Sequence, residues 1–174
     1  TVSSWVRAAD LQDDYKDYYY FLGSLGRNIR WVGTRLLSKV LQVALPGDRI
    51  LLALDDSPTK RYGKHVEGAG IHHNPTPGPA EQKFVYGHVW VTLALVARHA
   101  LWGTIALPLW ALLYVRDKNI RLLQTLYQVK FRTKLEQAVE LMNWAVFWLE
   151  GCGRPLWLAD TNANAALHPM RGAH

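Results

Sequence analysis

The sequence has 174 residues, 49% of them apolar and 20% charged, with a formal net charge of +6 and a pI near 9.5. This balance excludes a disordered chain and is enough for one domain with a real core. The single cysteine, Cys152, excludes an internal disulfide and any cysteine-based zinc site within one chain, while the basic excess favours an anionic partner such as nucleic acid or a membrane surface.

Residues 1–45 read mostly as helix. Val32, Leu36, Val40 and Val43 recur at helical spacing, and Leu37 and Leu41 widen that face. The preceding run, DDYKDYYYFLGSLGRNIR, reads as a surface helical arm with basic residues at Arg27 and Arg30. Pro46-Gly47-Asp48 is a stop and turn signal. Residues 49–56, RILLALDD, form a short apolar run ending in two carboxylates, the pattern of a strand buried on both faces. Residues 57–83 are rich in Gly, Pro and His without apolar periodicity, so a long loop, functional or disordered, is expected.

Two strands are expected next, at 84–97 and 104–115, both rich in Val, Leu, Trp and Tyr. Residues 117–130 are a polar connection, either a loop or a short helix. The clearest helix is 133–150, where Thr133 and Glu136 make a capping box. Leu135, Val139, Met142, Val146 and Leu149 define its expected apolar face, and Gly151 and Gly153 end it. PLWLAD, 155–160, is a last short strand ending in a carboxylate. Three antiparallel strands, a crossover helix and a fourth strand parallel to the first follow from this order.

Residues 89–115 are long enough to cross a bilayer, for which about 20 apolar residues suffice. Arg98 and His99 stand near the middle, where a charge costs roughly 2.5–3.5 kcal/mol. Gly103 and Pro108 interrupt the run further. Two strands joined by a turn explain it better than a membrane span. The chain opens on Thr1 with no secretory leader pattern, which reads as a trimmed chain or a fragment.

If the first and fourth strands are parallel neighbours, their terminal carboxylates meet at one end of the sheet. Asp56 and Asp160 would then offer hard oxygen ligands to Mg²⁺ or Mn²⁺. Asp55 and Asp56 point to opposite faces of a strand, so one is the main ligand; Asp56 is favoured, with Asp55 in support. Lys60, Arg61 and Lys64 follow at once and can hold phosphates. His65, His72, His73 and His88 lack the spacing of a zinc site, and His72 and His73 are expected among DNA or loop contacts.

The run LALDDSPTKRYGKHVEGAGIHHNPTPGPAEQKFVYGHVWVTLALV resembles the first half of the catalytic domain of bacterial insertion-sequence transposases of the DDE superfamily. TVSSWVRAADLQDDYKDYYYFLGSLGR resembles their amino-terminal region, and FRTKLEQAVELMNWAVFWLEGCGRPLWLAD their helix and following strand. The resemblance implies a helical region at 1–45, a ribonuclease-H-like mixed α/β sheet at 46–160 and an irregular tail at 161–174 that is unlike the family. It implies catalytic, metal-binding roles for Asp56 and Asp160, with Asp55 the close alternative to Asp56. It implies Mg²⁺ or Mn²⁺ as cofactor and double-stranded DNA, transposon ends and target, as partner. A homodimer in a synaptic complex and a bacterial cytoplasmic, nucleoid-associated location fit the same resemblance. The family's third carboxylate, a Glu on a late helix, has no match after Asp160, so the chain is expected to be catalytically incomplete. A shift of reading frame just past Asp160 would explain the tail. Two other classes remain in view, a nonenzymatic DNA-binding module and a small membrane protein with an apolar hairpin.

Overall fold

The computed structural model describes residues 2–43, 49–63, 65–74, 83–99, 101–123, 130–150, 153–160 and 168–169. It divides into two compact units, Thr1–Val40 and Leu41–His174. The first is helical: α1 (Val2–Ala8), a short 3-10 turn, α2 (Tyr15–Gly26) and most of α3 (Ile29–Val43). The buried line of α3 runs through Gly33 and Leu37, whereas Leu36, expected on the apolar face, is exposed.

The second unit is a mixed α/β sheet. Its strands are β1 (Ile50–Lys60), β2 (Gly70–His73), β3 (Phe84–His99), β4 (Gly103–Tyr114), β5 (Leu156–Asp160) and β6 (His168–Pro169). Two helices, α4 (Asp117–Leu123) and α5 (Lys134–Leu149), lie between β4 and β5 in the chain. β3 pairs antiparallel with β1 and with β4, and β1 pairs in parallel with β5. The expected order of three strands, helix and parallel fourth strand is therefore present, with β2 and the two-residue β6 added.

Local chemistry explains the elements. Ile50, Leu52 and Ala53 are buried, as a strand covered on both faces requires. β1 runs on past Asp56 through Pro58 to Lys60, where a loop was expected. Pro58 is tolerated because, among the described residues, β5 pairs only with Ile50–Leu54 and one edge of β1 has no described strand partner at Pro58. The apolar stretch at 89–115 is the β3–β4 hairpin, turned through Leu101, Trp102 and Gly103 at φ +70°. No helix among the described residues is long and apolar enough to cross a membrane. On β4, a bulge between the Leu93–Trp110 and Ala94–Pro108 pairs absorbs Pro108, which cannot donate to the ladder.

α5 begins at Thr133, whose Oγ1 accepts from the Glu136 backbone N–H while Glu136 Oε2 accepts from the Thr133 N–H at 2.7 Å. The Thr133 N–H and, at 2.9 Å, the Thr133 hydroxyl both donate to Glu136 Oε2 and hold the Glu136 carboxyl below its ordinary pKa. The helix buries Ala138, Leu141, Ala145 and Leu149, with Gln137 at the flank. Of the expected face Leu149 is buried, but Leu135 is 74% exposed and Val139 is exposed too. α5 is apolar on two sides, and the sheet takes the side whose two alanines let helix and strands approach closely. Segment 117–130 contains α4, whose Ile120 and Leu123 pack with Val115 and Leu113.

Candidate metal and phosphate site

Strand register decides which residues share a face. Across β1, β3 and β4 the rows are Leu54, Leu93 and Trp110; Asp56, Val91 and Leu112; and Pro58, Val89 and Tyr114. Side chains alternate along a strand, so these rows belong to one face. α5 covers it: the Trp144 ring meets Trp110 edge-on at 5.3 Å, and the Lys134 ammonium lies 5.6 Å from the Tyr114 ring centre. Topology explains why. β4 and β5 flank the sheet on opposite sides of the β3–β1 pair, and the helix joining them must cross it.

Asp56 lies at the edge of that cover. Lys134 Nζ donates to its Oδ2 at 2.5 Å, and each side chain is a little under half exposed. Leu54, Asp55, Val91, Leu135 and Ala138 complete a groove of about 200 Å³ around the pair. Asp55 belongs to the opposite face, in the row of Thr92 and Ala111, and is exposed. The backbone of Asp160 pairs in parallel with Leu54, two residues before Asp56. By the period of two, positions 54, 56 and 160 fall on one face of the pleat. The Asp160 side chain lies outside the description.

Hard carboxylate oxygens at one end of a sheet suit Mg²⁺ or Mn²⁺. The lysine ammonium held against Asp56 Oδ2 marks the same spot as one that draws a cation. Among the described residues, no three His, Cys, Asp or Glu side chains come together as a metal-binding group.

The basic stretch after Asp56 divides. Lys60 is exposed at the end of β1. Arg61 Nε donates to His88 Nδ1 at 3.2 Å, and its Nη1 donates to the Lys60 carbonyl at 3.3 Å. Since a guanidinium only donates, His88 carries its proton on Nε2, 2.8 Å from the Glu67 carbonyl. Tyr62 beside them is 91% exposed. Lys64 lies outside the described residues.

The two histidines expected at DNA also separate. His73 is exposed, with its ring edge-on to Phe84. His72 is buried against Tyr114 on the α5 face, and its Nε2 has no hydrogen-bond partner among the described residues. Burial, then the charges of Arg116 and Lys134, lower its pKa below the ordinary 6.5.

Lys134, Tyr114 and the inward turn of His72 were not anticipated from sequence. The run Lys130, Arg132 and Lys134 at the start of α5 was an available signal of positive charge. A second hollow, of about 480 Å³, opens between the loop His65–Ile71, Tyr86 and Lys118 and Asn119 of α4. It carries no convergent set of like charges. No family profile, curated protein or solved structure matches the chain.

Proposed function

We propose that residues 46–160 are part of a ribonuclease-H-like catalytic domain of the DDE transposase type, acting on double-stranded DNA with Mg²⁺ or Mn²⁺. The observation that carries this reading is the parallel pairing of β1 with β5, which sets position 160 on the face and at the end of the sheet that carry Asp56. The antiparallel β1–β3–β4 order and the crossing of α5 agree with it. Asp56 and Asp160 are the metal ligands, and Asp55, on the other face, is a supporting residue. Bound divalent ions supply the clamp on the attacking and leaving oxygens of a phosphodiester. The protein supplies position and charge: Asp56 and Asp160 hold the ion, and Lys60, Arg61, Lys64 and His73 hold the DNA backbone beside it.

The test is Mn²⁺ titration followed by electron paramagnetic resonance, on the full chain and on Asp56→Ala, Asp160→Ala and Asp55→Ala. Asp56→Ala and Asp160→Ala each lose about tenfold or more in affinity, because each removes one of two charged oxygen ligands, while Asp55→Ala stays near the parent. Equal affinity in all four proteins would refute the assignment. Nicking of supercoiled plasmid by the same set then reads how much chemistry these carboxylates support.

A further inference from the structure

The cation now held by Asp56 belongs to the protein itself. Lys134 is the first residue of α5, and its backbone is set by the Thr133 cap and capping box. Its Nζ reaches Asp56 Oδ2 at 2.5 Å and passes over the Tyr114 ring. Leu54, Val91, Leu135 and Ala138 line the groove with apolar surface, Asp55 also borders it, and the carboxylate that Lys134 holds is that of Asp56. The neighbouring Arg132 is committed elsewhere, to Glu140.

We propose that Lys134 is a phosphate-binding residue of the Asp56 site. It neutralises Asp56 when no metal is bound, and transfers to a phosphodiester oxygen of DNA when a divalent ion takes the carboxylate. This rests on the reading of Asp56 as a metal ligand. A divalent ion on Asp56 would compete with Lys134 for the same carboxylate. An ammonium and a divalent cation at one carboxylate repel each other, so the ion weakens the hold of Asp56 on Lys134. The displaced ammonium stays tethered to a capped helix end by a flexible four-carbon stem. It therefore remains beside the metal, where a phosphate bound to that metal must lie, and it restores there the charge pairing it lost.

A purely structural ion pair and an exchanging one differ in the sign of a single measurement. The test compares the full chain with Lys134→Gln and Lys134→Arg, using Mn²⁺ alone and then a fluorescein-labelled DNA duplex of mixed sequence. Lys134→Gln removes the competitor, so Mn²⁺ binds about two- to fivefold more tightly, the scale of a half-exposed ion pair. In the presence of Mn²⁺, the same variant binds the duplex more weakly, and its dependence of log affinity on log salt flattens by about one. Lys134→Arg restores the salt dependence. Circular dichroism melts verify that the variants are folded. If Mn²⁺ binding needs Asp56 but Lys134→Gln leaves it unchanged or weaker, the exchange is wrong and the metal site stands. If neither the parent nor Lys134→Gln binds Mn²⁺ in a manner that Asp56→Ala abolishes, the metal site is wrong and the exchange falls with it.

Discussion

Gly87 sets how closely β1 can lie against β3 beyond Asp56. It is buried and pairs with Lys60 of β1 on one side and Gly70 of β2 on the other. A Cβ at this position would overlap the Thr59 carbonyl oxygen and come within 2.9 Å of its carbon and 3.1 Å of Lys60 Cα. All three are backbone atoms, so no rotamer change relieves the clash and the strands themselves must part. Overpacking of this kind costs about 3 kcal/mol, toward the top of its usual range. Stiffening the unfolded chain returns up to about 1 kcal/mol. The expected net effect of Gly87→Ala is a loss of about 2 kcal/mol. For a unit of this size that lowers Tm by roughly 6–10 °C, or the urea midpoint by about 1 M at a typical slope. Urea titration followed by Trp fluorescence measures it. Gly23→Ala is the control: Gly23 lies inside α2 with nothing within 4 Å of an added Cβ. There the substitution favours the helix by about 0.5–1 kcal/mol. A Gly87→Ala protein as stable as the parent, or more so, would refute the close approach of the two backbones.

Two further outcomes follow from burial and charge. Leu141→Ala, at a fully buried position, costs about 2–5 kcal/mol, whereas Leu135→Ala stays within about 0.5 kcal/mol; equal losses in urea titration would mean that α5 packs on its other face. His72 is held below its ordinary pKa, so the unfolded chain takes up a proton before the folded one does. Its contribution is fully present above about pH 6.5, shrinks as pH falls from there, and levels off below the lowered folded value. His72→Phe removes this part of the pH dependence of the urea midpoint between neutral and mildly acid pH. An unchanged profile would show that the ring is not desolvated.

Much of the sheet was legible because its signals are local. The run ending at Asp56, the apolar stretches of β3 and β4, and PLWLAD each have the length and composition of strands. The Thr133–Glu136 box marks the start of α5 within four residues of chain. The parallel partnership of β1 and β5 also followed, since a helix between two strands is what such a crossover needs. β2 was not legible: Gly-Ile-His-His has too few apolar residues to show a period, and it becomes a strand only because the start of β3 offers it an edge. The extension of β1 through Pro58 was hidden for a related reason, because proline argues against a strand unless one edge lacks a partner.

The site divides along the same line. Sequence alone determined that acidic residues end two strands, because composition and period are properties of neighbouring residues. The period of two also parted Asp55 and Asp56 to opposite faces. Only the tertiary structure decided that Lys134 meets Asp56 across 78 residues of chain, and that His72 turns inward while His73 stays out. It also chose between the two apolar sides of α5, where Ala138 and Ala145 admit a closer fit than the larger Leu135 and Val139. These outcomes depend on distances between elements far apart in the chain, set by packing and by the path a crossing helix must take, and no local pattern encodes them.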